Sequence, residues 1–183
     1  VVTIDLDVME DNIRRVQAHL DRHGIGNRPH IKTHKVPAIG RMQLEAGASG
    51  ITCQKIGEVE VFADHGVAPD VLLTFNVLGR QKLDRLMAVA RRVERLTVVL
   101  DNEVVARGLS EAALRSGQDV RFVVECDTGN GRNGVQSPQA AFDLAKTNAE
   151  TNPFYVWMLG TYHRDGVATV KDATKAAELF TKA

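Results

Sequence analysis

Two hydrophobic rhythms alternate along the chain. Short runs rich in Val, Leu, Ile and Thr read as strands, and each is followed by a longer stretch with apolar residues at i, i+3 and i+4, the spacing of an amphipathic helix. VTIDLD (2–7) precedes VMEDNIRRVQAHLDRHG, which Gly24 closes. RPHIKTH precedes VPAIGRMQLEAG, and GITCQ precedes IGEVEVFADHG. VLLTFN precedes GRQKLDRLMAVARRV, and LTVVLD precedes NEVVARGLSEAALRSG. VRFVVEC runs through a glycine-rich loop into SPQAAFDLAKTN, and YVWMLGTY is read as a sixth strand before the last helix, KDATKAAELFTKA. Gly47, Gly66 and Gly117 stand where helix C-caps belong. The strands lack polar alternation, as in a sheet covered on both faces.

Six βα units counted from Arg28 imply a parallel sheet. A doubly wound sheet and a (β/α)8 TIM barrel both fit, but the even spacing and the lack of GxGxxG after the first strand favour the barrel. A complete barrel takes about 250 residues, so 183 residues are expected to form an incomplete one. No linker or low-complexity tract divides the chain, and residues 1–183 are expected to be one partial barrel domain. The chain opens on Val1 rather than Met and stops inside a helical pattern, so it is expected to be part of a longer protein.

Composition narrows the partners. Hydrophobic residues make up 44%, enough for one substantial core. Lys+Arg and Asp+Glu balance at 23 each, which gives no footprint for nucleic acid or an anionic membrane. Apolar runs such as LTVVL are far short of a membrane span, and the N-terminus has no basic n-region of a signal peptide. Cys53 and Cys126 form neither a CxxC pair nor a disulfide framework, so a reducing, cytoplasmic setting is the default.

The first candidate chemistry is RPHIKTHK (28–35). If this segment is extended, Arg28, His30, Lys32 and His34 share one face. Barrel active sites lie at the C-terminal ends of strands, where Lys32 would be a buried amine among cations. Like-charge repulsion makes such an amine a nucleophile for a carbonyl. The alternative is a short strand whose lysine simply reaches solvent. His30 and His34 are four apart, but the strand-like flanks and the missing HExxH glutamate make structural roles the better reading.

The second is ECDTGNGRNGV (125–135), where a strand ends in a loop with three glycines and Arg132. Its N–H groups and guanidinium would face an anion, with Glu125 orienting Arg132, or the loop is only a turn. Other strand ends are polar as well: Thr52 and Gln54, Thr74 and Asn76, Thr161 and Tyr162. Together they describe a hydrogen-bonding rim, and Tyr162 offers a flat face for an aromatic ring.

RPHIKTHKVP, GITCQKIGEVEV, VLLTFNVLG and VECDTGNGRNGVQSPQAA resemble the D-threonine aldolase and D-serine dehydratase group of pyridoxal-phosphate (PLP) enzymes, whose barrel is of the alanine-racemase N-terminal type. The resemblance runs from Val1 to about Tyr162. It implies that Lys32 holds pyridoxal 5'-phosphate covalently and that Arg132 approaches its phenolic oxygen. Tyr162 would stack on the pyridine ring, with Gln54 and Asn76 also at the cofactor. Glu125 stands where alanine racemases carry a lysine, two residues before the DTG aspartate. The implied reaction is cleavage of D-threonine, a small-molecule D-amino acid, to glycine and acetaldehyde. A divalent metal is implied for the full-length enzyme, and a homodimer by analogy.

Several readings stay open beside it. D-serine dehydration or amino-acid racemisation would use the same lysine, and a non-catalytic PLP-homeostasis protein is also a lone barrel. A lyase with a Schiff-base lysine and no PLP is another. The later barrel strands, whose loops bind phosphate, and the C-terminal β-domain that supplies metal ligands have no counterpart in this sequence. The tail LGTYHRDGVATVKDATKAAELFTKA resembles a Sel1-type helical repeat in its LG, Y, G, D and KA spacing, and that reading removes the role given to Tyr162.

Overall fold

A computed structural model describes residues 3–149 and 153–183. Four strands form one parallel sheet in the order β1-β2-β3-β4, and the sheet does not close into a barrel. They are β1 (Ile51–Cys53), β2 (Asp70–Leu73), β3 (Arg95–Leu100) and β4 (Arg121–Val124). The helices are α1 (Leu6–Arg22), α2 (Pro37–Glu45), α3 (Ile56–Asp64), α4 (Arg80–Ala90), α5 (Glu103–Ser116), α6 (Pro138–Asn148), α7 (Pro153–Asp165) and α8 (Ala173–Lys182). No helix among the described residues is long and apolar enough to cross a membrane.

The chain divides into two compact units, Val1–Thr74 with Val89–Leu96, and Phe75–Ala88 with Thr97–Ala183. In the first, β1 and β2 pair with Ile51 opposite Val71 and Cys53 opposite Leu73. The side chains of Ile31, Ile51, Val59, Phe62, Val67, Val71 and Leu73 are closed to solvent, each gaining about 1.5–3 kcal/mol from burial. Gly40 lets α2 approach α3 closely, since a Cβ there would lie 2.6 Å from Phe62 Cε1. In the second, Thr97 faces Arg121 and Leu100 faces Val124, over a core of Leu86, Val98, Leu100, Leu109, Phe122 and Tyr155. Asn102 starts α5 by accepting from Val105 N at 3.0 Å, and Gly117 ends it at φ 62°, a left-handed cap.

Three of the expected strands take other forms. Val2 lies outside the described residues, and Asp5 accepts from Val8 N at 3.1 Å, so the helix begins at Leu6 within the supposed strand VTIDLD. In RPHIKTH only His30 pairs, in a single parallel bridge to Thr52, and Ile31–Thr33 form one 3-10 turn. Here a local bond wins over the ladder: His30 Nδ1 accepts from Lys32 N at 3.3 Å. YVWMLGTY lies within α7. Tyr155, Met158 and Leu159 recur at helical spacing and are buried, and Tyr155 stacks on Phe122 at 6.1 Å. Gly160 sits under the Phe180 ring of α8, where a Cβ would lie 2.6 Å from Phe180 Cε1. A helical hairpin is the form that the repeat-like spacing of the tail implies.

Candidate active site

In the first unit the chain leaves the His30–Thr52 bridge at the C-terminal margin of the sheet. Lys32 and Gln54 each lie two residues beyond that bridge. Thr52 N donates to Pro29 O at 2.8 Å, and Lys35 N to Ile31 O at 2.8 Å, so the Lys32 turn is held at both ends. Lys35 adopts φ 55°, a conformation side chains seldom take. Its ammonium lies 3.4 Å from the buried carboxylate of Glu58, the third residue of α3. The other Glu58 oxygen accepts from Gln54 N at 2.8 Å and Lys55 N at 3.3 Å. One carboxylate therefore braces both the turn that carries Lys32 and the loop that carries Gln54. A Glu three residues after the helix boundary was the available sequence signal for it.

The environment of Lys32 differs from the expected one. Its side chain is exposed rather than buried, because the 3-10 turn carries it off the sheet margin. Arg28 points elsewhere, donating to both oxygens of Asp70 at 2.9 and 3.1 Å. Burial, then the charge of Lys32, lowers the pKa of His30. Burial also lowers that of His34 against the opposing hydrogen bonds of Gln43 and Val36. Both imidazoles accept backbone N–H at Nδ1, His30 from Lys32 and His34 from Val36. Two neutral rings and a neutralised guanidinium replace the expected ring of cations.

In the second unit, residues 125–135 form a loop closed at its neck. Val135 N donates to Glu125 O at 2.8 Å, and Asp127 N donates back to Val135 O at 2.9 Å. Gly134 has φ 103°, and a Cβ there would lie 2.6 Å from Asp127 N. Glycine is therefore required on both counts. Asp127 Oδ1 accepts from Gly129, Asn130 and Gly131 N at 2.9, 2.9 and 3.2 Å. The Gly129 N–H first, with its neighbours, holds this carboxyl below the usual carboxylate range. The loop amides thus turn inward on Asp127 instead of facing an anion, and Arg132 projects exposed from the tip. Among the described residues no hydrogen bond or ion pair joins Glu125 to Arg132.

Asn76 follows β2, and its Nδ2 donates to Asp101 Oδ1 at 2.7 Å. Asp101 Oδ2 accepts from Gly134 N at 3.0 Å. The carboxylate joins Asn76 to the Arg132 loop, although the sequence reading passed over Asp101; its signal was an acid at the end of LTVVLD. Tyr162 is not at a strand end. It lies on α7 with its ring edge-to-face on Phe142 at 5.6 Å and 87°, and burial raises its pKa. That packing withdraws the ground for placing it against a cofactor.

One feature of each unit, taken by itself, fits pyridoxal phosphate. Lys32 offers an exposed amine with no ion pair among the described residues, and Asn76 Oδ1 is buried without a hydrogen-bond partner. A metal finds no such fit, since no group of three His, Cys, Asp or Glu side chains able to hold one occurs among the described residues.

Parallel βα units around one four-stranded sheet are the architecture of an incomplete barrel of the racemase type. The chain belongs to the family described as alanine racemase, N-terminal domain, whose model matches residues 4–181. It is 38% identical over 145 residues to a D-threonine aldolase of Arthrobacter sp., covering 79% of this chain and 38% of that protein. It is 37% identical over 147 residues to a 3-hydroxy-D-aspartate aldolase of Paracoccus denitrificans, covering 80% and 38%. The structure superposes on that of D-threonine aldolase from Filomicrobium marinum with a TM-score of 0.77 and 36% identity, over 81% of this chain and 40% of that one. The chain thus spans about two-fifths of the length of these relatives.

Proposed function

We propose that this chain is the lysine-bearing part of a pyridoxal-phosphate-dependent lyase that cleaves D-3-hydroxy amino acids, with D-threonine giving glycine and acetaldehyde. The observation that carries the reading is the exposed amine of Lys32, two residues past the His30–Thr52 bridge and without an ion pair among the described residues, in a chain similar to two aldolases of such substrates. When bound, the cofactor draws electrons from the bond broken at the substrate Cα.

The protein's part is placement. Lys32 would hold the cofactor through its amine. His30, neutral and accepting the Lys32 N–H, fixes the backbone beneath that side chain. Gln54 lies two residues past the other side of the same bridge, in a loop pinned by Glu58. In the second unit Arg132 offers a fork of donors to an oxygen anion, and Asn76 offers its unpartnered oxygen to a donor.

The test is spectroscopic and chemical. The purified chain mixed with pyridoxal phosphate should gain the visible absorption of a lysine-bound cofactor, and K32A should not. A K32A protein that retained the covalent chromophore would refute the assignment. The complete protein should release acetaldehyde from D-threonine; pyruvate from D-serine instead would make it a dehydratase.

A further inference from the structure

We infer that Asp101 is a positioning residue. It turns the Asn76 carboxamide so that the oxygen, and not the nitrogen, is offered to a ligand, and it ties that carboxamide to the loop bearing Arg132. The ligand named here rests on the pyridoxal phosphate reading above; the orientation rests on geometry alone.

An ionised carboxylate accepts hydrogen bonds and donates none. Burial pushes the Asp101 carboxyl up, but hydrogen bonds from Gly134 N–H, Asn102 and Asn76 outweigh it and hold the group ionised. The Asn76 atom 2.7 Å from Asp101 Oδ1 is therefore the amide nitrogen. That leaves Asn76 Oδ1 as the free acceptor, buried and with no hydrogen-bond partner among the described residues. A buried acceptor left alone is costly and calls for a donor. Pyridoxal phosphate carries donors of this kind in its pyridinium N–H and monoprotonated phosphate.

The same carboxylate is anchored in two further directions. Its Oδ1 also accepts from Asn102 Nδ2 at 2.8 Å, and Asn102 in turn caps α5 through Val105 N. Its Oδ2 takes Gly134 N at 3.0 Å, at the neck of the arginine loop. The helix end, the carboxamide and the loop neck thus meet at one side chain.

D101N reverses the bond to Asn76, keeps the one from Gly134 and gives up the one from Asn102. The new amide oxygen accepts from Gly134 N, while its NH2 faces Asn76. The Asn76 carboxamide must then rotate and show a donor to the ligand. The exchanged pair N76D/D101N restores an acceptor at position 76.

The experiment follows side-chain amide exchange by NMR in the unloaded chain and pyridoxal phosphate affinity by absorbance titration. In the wild type the Asn76 NH2 exchanges slowly. In D101N its exchange pattern changes and the cofactor binds about tenfold more weakly, while Gly134 N–H stays protected. N76D/D101N returns the affinity to within about threefold of wild type. A merely structural role would lower affinity and Gly134 protection together, with no recovery in the exchanged pair. Asn76 amide exchange that is the same in wild type and D101N overturns the inference, as does wild-type affinity in D101N. A wild-type chain that takes up no pyridoxal phosphate removes the proposed function, and the amide exchange still decides the orientation.

Discussion

The guanidinium of Arg28 meets the carboxylate of Asp70 in two parallel hydrogen bonds, Nη1 to Oδ1 at 2.9 Å and Nη2 to Oδ2 at 3.1 Å. Arg95 adds a third at 2.9 Å. The cluster fastens the segment before the Lys32 turn to the start of β2, and Gly50 leaves it room, since a Cβ there would collide with Arg28 Nη1 and Asp70 O.

Asp70 should therefore carry acid sensitivity. Burial would raise its pKa, but Arg28 and Arg95 together hold it below the ordinary carboxylate range. A depressed carboxyl contributes stability fully above its unfolded pKa of about 3.9, and that contribution is lost as pH falls through the lower folded value. D70N should cost about 1–2 kcal/mol at pH 7, since Arg28 and Arg95 are partly exposed, and flatten the acid limb of stability. Urea unfolding at a series of pH values measures both, and wild-type behaviour below pH ~4 in D70N would contradict the role.

His30 and His34 set a second pH dependence at higher pH. Both folded pKa values are lowered, chiefly by burial, so the unfolded chain binds the proton more tightly. Stability is complete above about pH 6.5 and falls as pH drops from there toward the folded values. Thermal melts between pH 7.5 and 5 should show this decline, and H34Q should make it shallower. An unchanged slope in H34Q would assign the effect elsewhere.

Glu58 should matter more than its place at a helix start suggests. E58A removes the acceptor for Gln54 and Lys55 N–H and the partner of Lys35. It should cost about 2 kcal/mol in denaturant unfolding. Amide exchange should quicken in the Lys32 turn and at Gln54 together. Faster exchange at Gln54 alone would mean that the Lys35 contact braces nothing.

G134A should open the arginine loop. It forces alanine into φ 103° and drives a Cβ toward Asp127 N, a strain of roughly 1–3 kcal/mol. Protection of the Val135 and Asp127 amides should fall while β4 stays intact by hydrogen exchange. G129A sits at φ 123° with open space around its Cβ position and should cost less.

Periodicity made α1 to α6 legible because their apolar residues recur at helical spacing, and β1 to β4 because theirs come in short runs rich in Val, Leu, Ile and Thr. It failed where two forms satisfy the same pattern. RPHIKTH alternates like a strand, yet after one bridge the His30 imidazole accepts a backbone N–H that a ladder would have used. YVWMLGTY is rich in residues that favour strands, but its deciding contact is Gly160 beneath Phe180, twenty residues along the chain. Lys32 and Gln54 in the first unit, and Asn76 and Arg132 in the second, stood out by residue type and position. Asp101 and Glu58 were not visible because an acid next to a helix start reads as a cap. Their second partners, Gly134 and Lys35, come from distant sequence.

The neck between Glu125 and Val135, with three amides gathered on Asp127, bears on the thermodynamics of recognition. A guanidinium on a floppy tether must surrender chain entropy on capturing an anion. Arg132 rides on a backbone that has already surrendered it, so only the rotamers of its own side chain remain to be frozen when a guest arrives.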